Sequence, residues 1–250
     1  MILKKHFLNL IFFVFTVAVH SQSDKKAVFV NLNLKWKNEP LELNKIYHSK
    51  TDSLQISAFK FYISSIEIQF DDNSKFIENN SYHLIDIENN KSLKIDLLKS
   101  TNKIISQISF NVGVDSLASV SGAMSGDLDA TNGMYWAWQS GFINMKIEGK
   151  SNSCSTRNND FYFHIGGYLK PNYALRNVTI NCKDKDNINI NGNCKDNINI
   201  NSNCNDNINL IVDLARLFDG IDLKSNNSIM IPGQKAMKIA DLSTKIFSLK

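Results

Sequence analysis

Alternation of apolar and polar residues with the period of a β-strand constrains this chain more than any other feature. In AVFVNLNLKW, five apolar residues from Val28 to Trp36 alternate with smaller or polar ones, as in a strand with one buried face. Comparable segments follow, separated by turns rich in Asn, Asp, Ser and Gly: AFKFYISSIEIQF, SYHLIDIE, KIISQISFNVGV, MYWAWQSGFINMKIEG, DFYFHIGGYL and LRNVTINC. Because no regular alternation of strands and helices is present, we predict a mostly β fold, a single antiparallel β-sandwich.

Local departures from this pattern add detail. The alternation in AFKFYISSIEIQF changes phase at Ser64–Ser65, which predicts a bulge or bend. Near the end, GQKAMKIADLSTKIF spaces its apolar residues at three- and four-residue steps from Ala236 to Ile246, which predicts a short C-terminal helix. A shorter helical turn is expected in VDLARLFDG, closed by Gly220. No Pro- or Gly-rich linker divides the chain, so one domain is expected over residues 22–250.

The N-terminal residues 1–21 have the composition of a signal peptide. Lys4 and Lys5 precede an apolar run from Phe7 to Val19, and small residues predict cleavage near Ser21–Gln22. The run is shorter than the roughly 20 residues that a membrane span needs. We therefore expect an exported protein, in the periplasm or on the cell surface of a bacterium, without a stable membrane span after cleavage. The formal net charge is only +4, and without a dense basic run nucleic acid is not an expected partner.

A tandem repeat begins at Asn181 and reads NCKDKDNINING, NCKDNININ and NCNDNINL. Three copies of about ten residues are too few for a solenoid, so we interpret residues 181–210 as an insertion that lengthened a loop or an edge hairpin. The alternative is a metal site formed by the repeated cysteines and aspartates, although their spacing matches no metal-binding loop. The chain has four cysteines, and a fully paired set allows three disulfide patterns, which the sequence does not distinguish: Cys154, Cys182, Cys194 and Cys204.

Few residues are candidates for chemistry. The chain has no Gly-x-Ser-x-Gly nucleophile motif and no Gly-rich phosphate loop, so we do not expect an enzyme. His83 in SYHLID and His164 in FYFHIGG lie within apolar, strand-like runs. Neutral imidazole is a good ligand for copper, zinc or nickel. The alternative for each histidine is a hydrogen-bonded structural role, whereas His48 is expected to be exposed.

The segment GMYWAWQSGF contains Trp136 and Trp138, two of the three tryptophans of the chain. Two interpretations are open. The segment is either a strand that packs both faces in a core, or a site whose chemistry requires an indole.

Several segments, in this order, resemble the MbnP-like family, an exported copper-binding partner of the methanobactin system: FKFYISSIEI, SYHLID, FNVGVDS, GMYWAWQSGF, FHIGGY and MIPGQKAMKIAD. The resemblance extends from about Ala27 to the end, apart from the Asn-rich repeat. In characterised relatives a di-haem enzyme oxidises a tryptophan of this region to kynurenine, which then binds copper together with histidine.

The resemblance implies a copper site, for Cu(I) or Cu(II), and a di-haem tryptophan-oxidising enzyme as partner. It makes Trp136 the first candidate for modification and Trp138 the second, with His164 and, more weakly, His83 as imidazole ligands. In a copper-binding relative a histidine stands two residues after the modified tryptophan, where this chain has Trp138. The alternative function is a structural or adhesive extracellular β-sandwich module without metal, in which both tryptophans are core residues.

Overall fold

A computed structural model describes residues 26–139, 141–182 and 207–250. The expected signal peptide and most of the Asn-rich repeat, residues 183–206, lie outside these residues. The described strands are β1 (Lys26–Trp36), β2 (Glu39–Pro40), β3 (Ile46–His48), β4 (Ser53–Phe70), β5 (Lys75–Ile77), β6 (Tyr82–Asp86), β7 (Lys94–Thr101), β8 (Ile105–Val112), β9 (Tyr135–Trp136), β10 (Gly141–Ser151), β11 (Asp160–Gly166), β12 (Arg176–Asn181), β13 (Asn207–Asp213), β14 (Ser228–Ile229) and β15 (Phe247–Leu249).

Helices are short. They are α1 (Ser116–Ser121), α2 (Ala215–Phe218) and α3 (Gln234–Ser243), with 3-10 turns at Asn90–Leu93, Gly126–Leu128, Ala130–Asn132 and Thr244–Ile246. The mostly β character and the C-terminal helix are confirmed, and α1 is an addition. Asp115 caps α1 by accepting a hydrogen bond from the Ala118 backbone N–H. None of the described helices is long and apolar enough to cross a membrane.

A five-stranded sheet joins the two ends of the described chain. Its order is β15-β13-β1-β2, and β7 also pairs with β1. β1 and β13 run parallel, from Phe29 opposite Asn207 to Lys35 opposite Asp213. The predicted antiparallel arrangement is confirmed only in part, because β1–β13 and β11–β14 are parallel and both sheets are therefore mixed. Alternation fixes which face of a strand is buried, but it carries no information on the direction of the neighbouring strand.

A ten-stranded sheet is organised around β4. Its hydrogen-bonded neighbours follow the path β12-β8-β4-β10-β11-β14, in which β8 and β10 pair with different parts of β4. β10 pairs with Leu54 to Phe61 and β8 with Ile63 to Phe70, in succession along the same edge of β4. β6 occupies the opposite edge, from Lys60 to Ser64. The predicted irregularity is confirmed, since the β4–β8 register shifts after Ser64 and Ser65 has a φ of 51°.

The junction between β8 and β10 is closed by the side chain of Asn144. Its Oδ1 accepts a hydrogen bond from the Val114 backbone N–H at 3.1 Å, and the Gly113 N–H donates to the Tyr62 carbonyl at 2.9 Å. A Cβ on Gly113 would lie 2.3 Å from Cγ of Asn144, and the φ of Gly113 is 116°. Only glycine fits this point because it lacks a Cβ and tolerates a positive φ.

Two apolar clusters lie on opposite faces of the ten-stranded sheet. The main core contains residues of both sheets, including Phe61 and Ile63 of β4. The smaller group, here named the second cluster, lies on the other face because Tyr62 alternates with those residues. Its buried members are Tyr62, Val114, Ala118, Leu128, Met134, Trp136, Phe142 and Ile143.

Candidate metal-binding site around Trp136

Trp136 belongs to a tight hairpin. It pairs with Gly141 in the β9–β10 ladder, and the Gln139 backbone N–H donates to the Trp136 carbonyl at 3.2 Å. The segment predicted as one strand is therefore interrupted by a turn at residues 137–139. The turn places the two indoles differently. Trp136 is only 7% exposed, whereas Trp138 is 64% exposed and is not a core residue.

The two indoles remain in contact. Their ring centroids are 5.6 Å apart with an interplanar angle of 43°, within the range of favourable aromatic pairs. Trp138 therefore covers Trp136 from the solvent side. Without modification it offers no ligand for a metal, because the nitrogen of an indole carries a hydrogen and has no available lone pair.

The indole of Trp136 lies directly on strand β11. A Cβ added to Gly166 would lie 2.8 Å from Cζ3 of Trp136 and 2.6 Å from the Phe142 carbonyl oxygen. This close approach requires glycine, since a side chain would occupy the space of the ring. Gly166 and His164 are two residues apart on one strand and share a face. The structure thus brings Trp136 and His164 to the same face.

His164 is held by a carboxylate of the neighbouring strand. It is 8% exposed, and its Nε2 is 2.7 Å from Oε1 of Glu148. The Lys146 ammonium is 3.2 Å from the same oxygen. Lys146 stands opposite His164 in the β10–β11 register, and Glu148 stands opposite Tyr162.

The electrostatics of this group favour a neutral imidazole beside an ionised carboxylate. Burial, together with the charge of Lys146, lowers the pKa of His164, although the hydrogen bond to Glu148 opposes the shift. Burial raises the pKa of Glu148, but the hydrogen bond from His164 and the charge of Lys146 outweigh it, so its pKa is lowered. A carboxylate only accepts hydrogen bonds, so the imidazole N–H is the donor. Nδ1 makes no hydrogen bond to the described residues.

The other sequence candidates lie elsewhere. His83 is opposite Ile63, a main-core residue, in the β4–β6 register, while its neighbours Tyr82 and Leu84 pack against the second cluster. His83 therefore faces away from Trp136, and its Nε2 pairs with Oε2 of Glu78 at 2.9 Å. The structure does not bring His83 to the site.

Methionine and cysteine side chains, whose sulfur atoms are soft ligands, are also divided between the two faces of the ten-stranded sheet. Met134 is buried in the second cluster beside Trp136, whereas Met145 belongs to the main core on the opposite face. Cys154 is a free, buried thiol, and Cys182 is disulfide-bonded. A pattern that pairs all four cysteines therefore does not occur.

The donors available around Trp136 are few. Among the described residues, no group of three or more His, Cys, Asp or Glu side chains could hold a metal ion. His164 offers one imidazole nitrogen, while Glu148 is engaged by His164 and Lys146. These residues fit a copper ion only if Trp136 itself becomes a donor. An unmodified indole is not one, because its nitrogen carries a hydrogen and no available lone pair.

Glu148 and Lys146 were not among the sequence candidates. The signal for them is the segment INMKIEG, in which Asn144, Lys146 and Glu148 interrupt an apolar strand at every second position. This period places Lys146 and Glu148 on one face, whereas the β10–β11 register shifts between Ile143 and Met145, so the period does not extend to Asn144. Their pairing with His164 depends on the β10–β11 register, which a single segment does not reveal.

Comparison with known proteins identifies the family. The family model described as MbnP matches residues 25–231, most of the chain, and this chain belongs to the MbnP family. The solved structure of MbnP from Methylosinus trichosporium is similar with a TM-score of 0.56 and 12% sequence identity, over 90% of this chain and 98% of that chain. At this identity the similarity shows the fold alone. A search of curated proteins gives no match.

Proposed function

We propose that this protein is an exported, non-enzymatic copper-binding protein in which oxidised Trp136 and His164 supply ligands. The observation that carries the proposal is the position of Trp136, pressed against Gly166 two residues from His164. Membership of the MbnP family supports the association with copper. The ligand set excludes His83, because it lies on the other face, and Trp138, because it is 64% exposed in the turn whereas Trp136 is buried against β11.

The chemistry of the donors explains why modification matters. Oxidative cleavage of the C2–C3 bond of the indole adds two oxygen atoms and gives N-formylkynurenine, whose hydrolysis releases formate. The kynurenine that remains has an aromatic amine and a ketone, which would supply nitrogen and oxygen donors beside the imidazole. Copper accepts imidazole and amine nitrogen readily. Because this cleavage requires dioxygen or hydrogen peroxide as the oxidant, we propose a di-haem tryptophan-oxidising enzyme, which would activate the oxidant, as the partner. The contribution of this chain is to bury Trp136, hold it against β11 and present one imidazole next to it.

The alternative is a structural or adhesive module without metal. The burial of Trp136 in the second cluster is the observation in its favour, because a buried indole stabilises a fold without any further role. The two functions predict different results for the same variants.

The test compares three tryptophan variants after co-expression with the di-haem enzyme. Trp136→Phe is expected to abolish the oxidative mass change and the tight copper site while the protein remains folded. Trp138→Phe is expected to retain both. Trp36→Phe is the matched control, since Trp36 is buried in the main core and stacks on Tyr47 at 4.8 Å.

Intact-mass and peptide mass spectrometry locate the modification, and a copper titration measures affinity. Equal titrations for parent, Trp136→Phe and Trp36→Phe would assign Trp136 to the core alone and favour the structural module.

A further inference from the structure

We propose that Glu148 is the positioning residue of this site: by accepting the Nε2 hydrogen of His164, it leaves Nδ1 as the imidazole nitrogen that binds the metal. This inference rests on the proposed function for the identity of the metal. Its first step, the choice of tautomer, concerns the metal-free protein and can be tested separately.

The first step follows from the contact itself. The distance of 2.7 Å between Nε2 and Oε1 is that of a strong hydrogen bond to a charged acceptor. A neutral imidazole has one N–H and one lone pair. If the carboxylate accepts the N–H at Nε2, the lone pair is at Nδ1. Ligand histidines commonly donate their second nitrogen to a carboxylate in this way, which fixes the tautomer and raises the basicity of the ligand.

Lys146 makes the arrangement more rigid. Its ammonium contacts the same Oε1 as His164, at 3.2 Å, and lies close to Gly133, where an added Cβ would be 3.9 Å from Nζ. This positive charge favours the ionised carboxylate, which has no hydrogen to donate. Lys146 and His164 therefore share one oxygen of the carboxylate, and the ammonium helps to hold that oxygen beside the imidazole.

The order of groups along β11 is consistent with this role. Glu148 stands opposite Tyr162, whereas the Trp136 indole lies over Gly166. His164 is between Tyr162 and Gly166 on the same face of the strand. The carboxylate and the indole therefore lie on opposite sides of His164 along the strand, and the carboxylate does not stand between the imidazole and the indole.

The chain contains its own control. Glu78 and His83 form a second carboxylate–imidazole pair, with Nε2 2.9 Å from Oε2, on the face of the sheet away from Trp136. Side-chain exposures are similar for the two acids, 25% for Glu148 and 21% for Glu78. Removing Glu78 removes the same kind of hydrogen bond without touching the proposed site.

The first measurement uses metal-free protein with 15N-labelled histidine at neutral pH. Long-range 1H–15N spectra distinguish a protonated from an unprotonated ring nitrogen. We expect His164 of the parent to carry its hydrogen on Nε2, and Glu148→Ala to populate both tautomers. Glu78→Ala should change the signals of His83 only. A parent His164 protonated at Nδ1 would overturn the inference.

The second measurement adds Cu(I), which is diamagnetic, to protein whose Trp136 has been oxidised. Copper is expected to shift the Nδ1 signal of His164, and Glu148→Ala is expected to weaken copper binding by about 10–100-fold. Glu78→Ala should bind as the parent does. A shift at Nε2 instead, or equal affinity of the two alanine variants, refutes the assignment of Glu148.

Two further outcomes are defined in advance. If Glu148→Ala does not fold, Glu148→Gln preserves the volume, and a smaller loss of copper affinity in the same direction is expected; no loss overturns the role. If the parent binds no copper although its His164 has the Nε2–H tautomer, the proposed function fails together with the metal role of Glu148. The spectra of the metal-free protein then show that the tautomer step was correct.

Discussion

Replacing Gly166 by alanine tests whether the indole of Trp136 rests on strand β11. The new methyl group would lie 2.8 Å from Cζ3 and 3.1 Å from Cη2 of Trp136, and 2.6 Å from the Phe142 carbonyl oxygen. The ring can shift, but the carbonyl belongs to the β9–β10 hairpin and cannot move alone. Overpacking of a buried site lowers the free energy of unfolding by about 1–3 kcal/mol. Because the methyl group would also contact the backbone, we expect a loss of about 2–3 kcal/mol for Gly166→Ala.

The assay is urea unfolding followed by circular dichroism and tryptophan fluorescence, with thermal unfolding as a second measurement. For a chain of this size the expected loss corresponds to a Tm lower by about 4–12 °C. Gly233→Ala is the control, because no heavy atom lies within 4 Å of its added Cβ, and a change of about 1 kcal/mol or less is expected. Parent-like stability of Gly166→Ala would refute the contact between the indole and the strand.

Three other predictions concern single groups. Tyr62→Phe removes a hydroxyl that donates to the Asp127 carbonyl at 2.8 Å. Because Asn132 Nδ2 also donates to that oxygen at 3.1 Å, the free energy of unfolding measured in urea should fall by only about 0.5–1.5 kcal/mol. A much larger fall would contradict this. The pKa of His164 should lie below 6.5 in an NMR titration. Since the unfolded chain then binds more protons, the free energy of unfolding should fall as the pH is lowered through 6.5, and a pKa above the ordinary value would reverse the sign. Burial raises the pKa of Cys154, so iodoacetamide should label this thiol only in unfolded protein, as mass spectrometry can check.

The faces of the strands could be predicted from the sequence. The alternation from Val28 to Trp36 identifies β1 and its buried side, and the change of phase at Ser64–Ser65 identifies the bulge in β4. Both predictions depend on which face of a strand is buried, and the alternation within each segment indicates that face without reference to other segments. The same holds for α3, whose apolar spacing is local.

Pairing between distant segments could not be predicted. The parallel partner of β1, and the position of Glu148 beside His164, depend on registers that join separate segments. The hairpin at residues 137–139 was missed for another reason. MYWAW contains no polar residue, so its pattern does not separate a continuous strand from a strand followed by a turn. The pattern therefore does not distinguish the environments of Trp136 and Trp138, although only Trp136 is buried.

The parallel pairing of β1 with β13 has a consequence for the order of events during synthesis. Asn31 donates a side-chain hydrogen bond to Asn209, 178 positions later, so the two strands cannot meet until nearly the whole chain has been made. β2 and β7 can join β1 earlier, but its other edge stays open throughout that time. Contacts of such long sequence separation slow folding, and an open strand edge can pair with other chains. The interval before β13 arrives is therefore the period in which this protein is most exposed to aggregation.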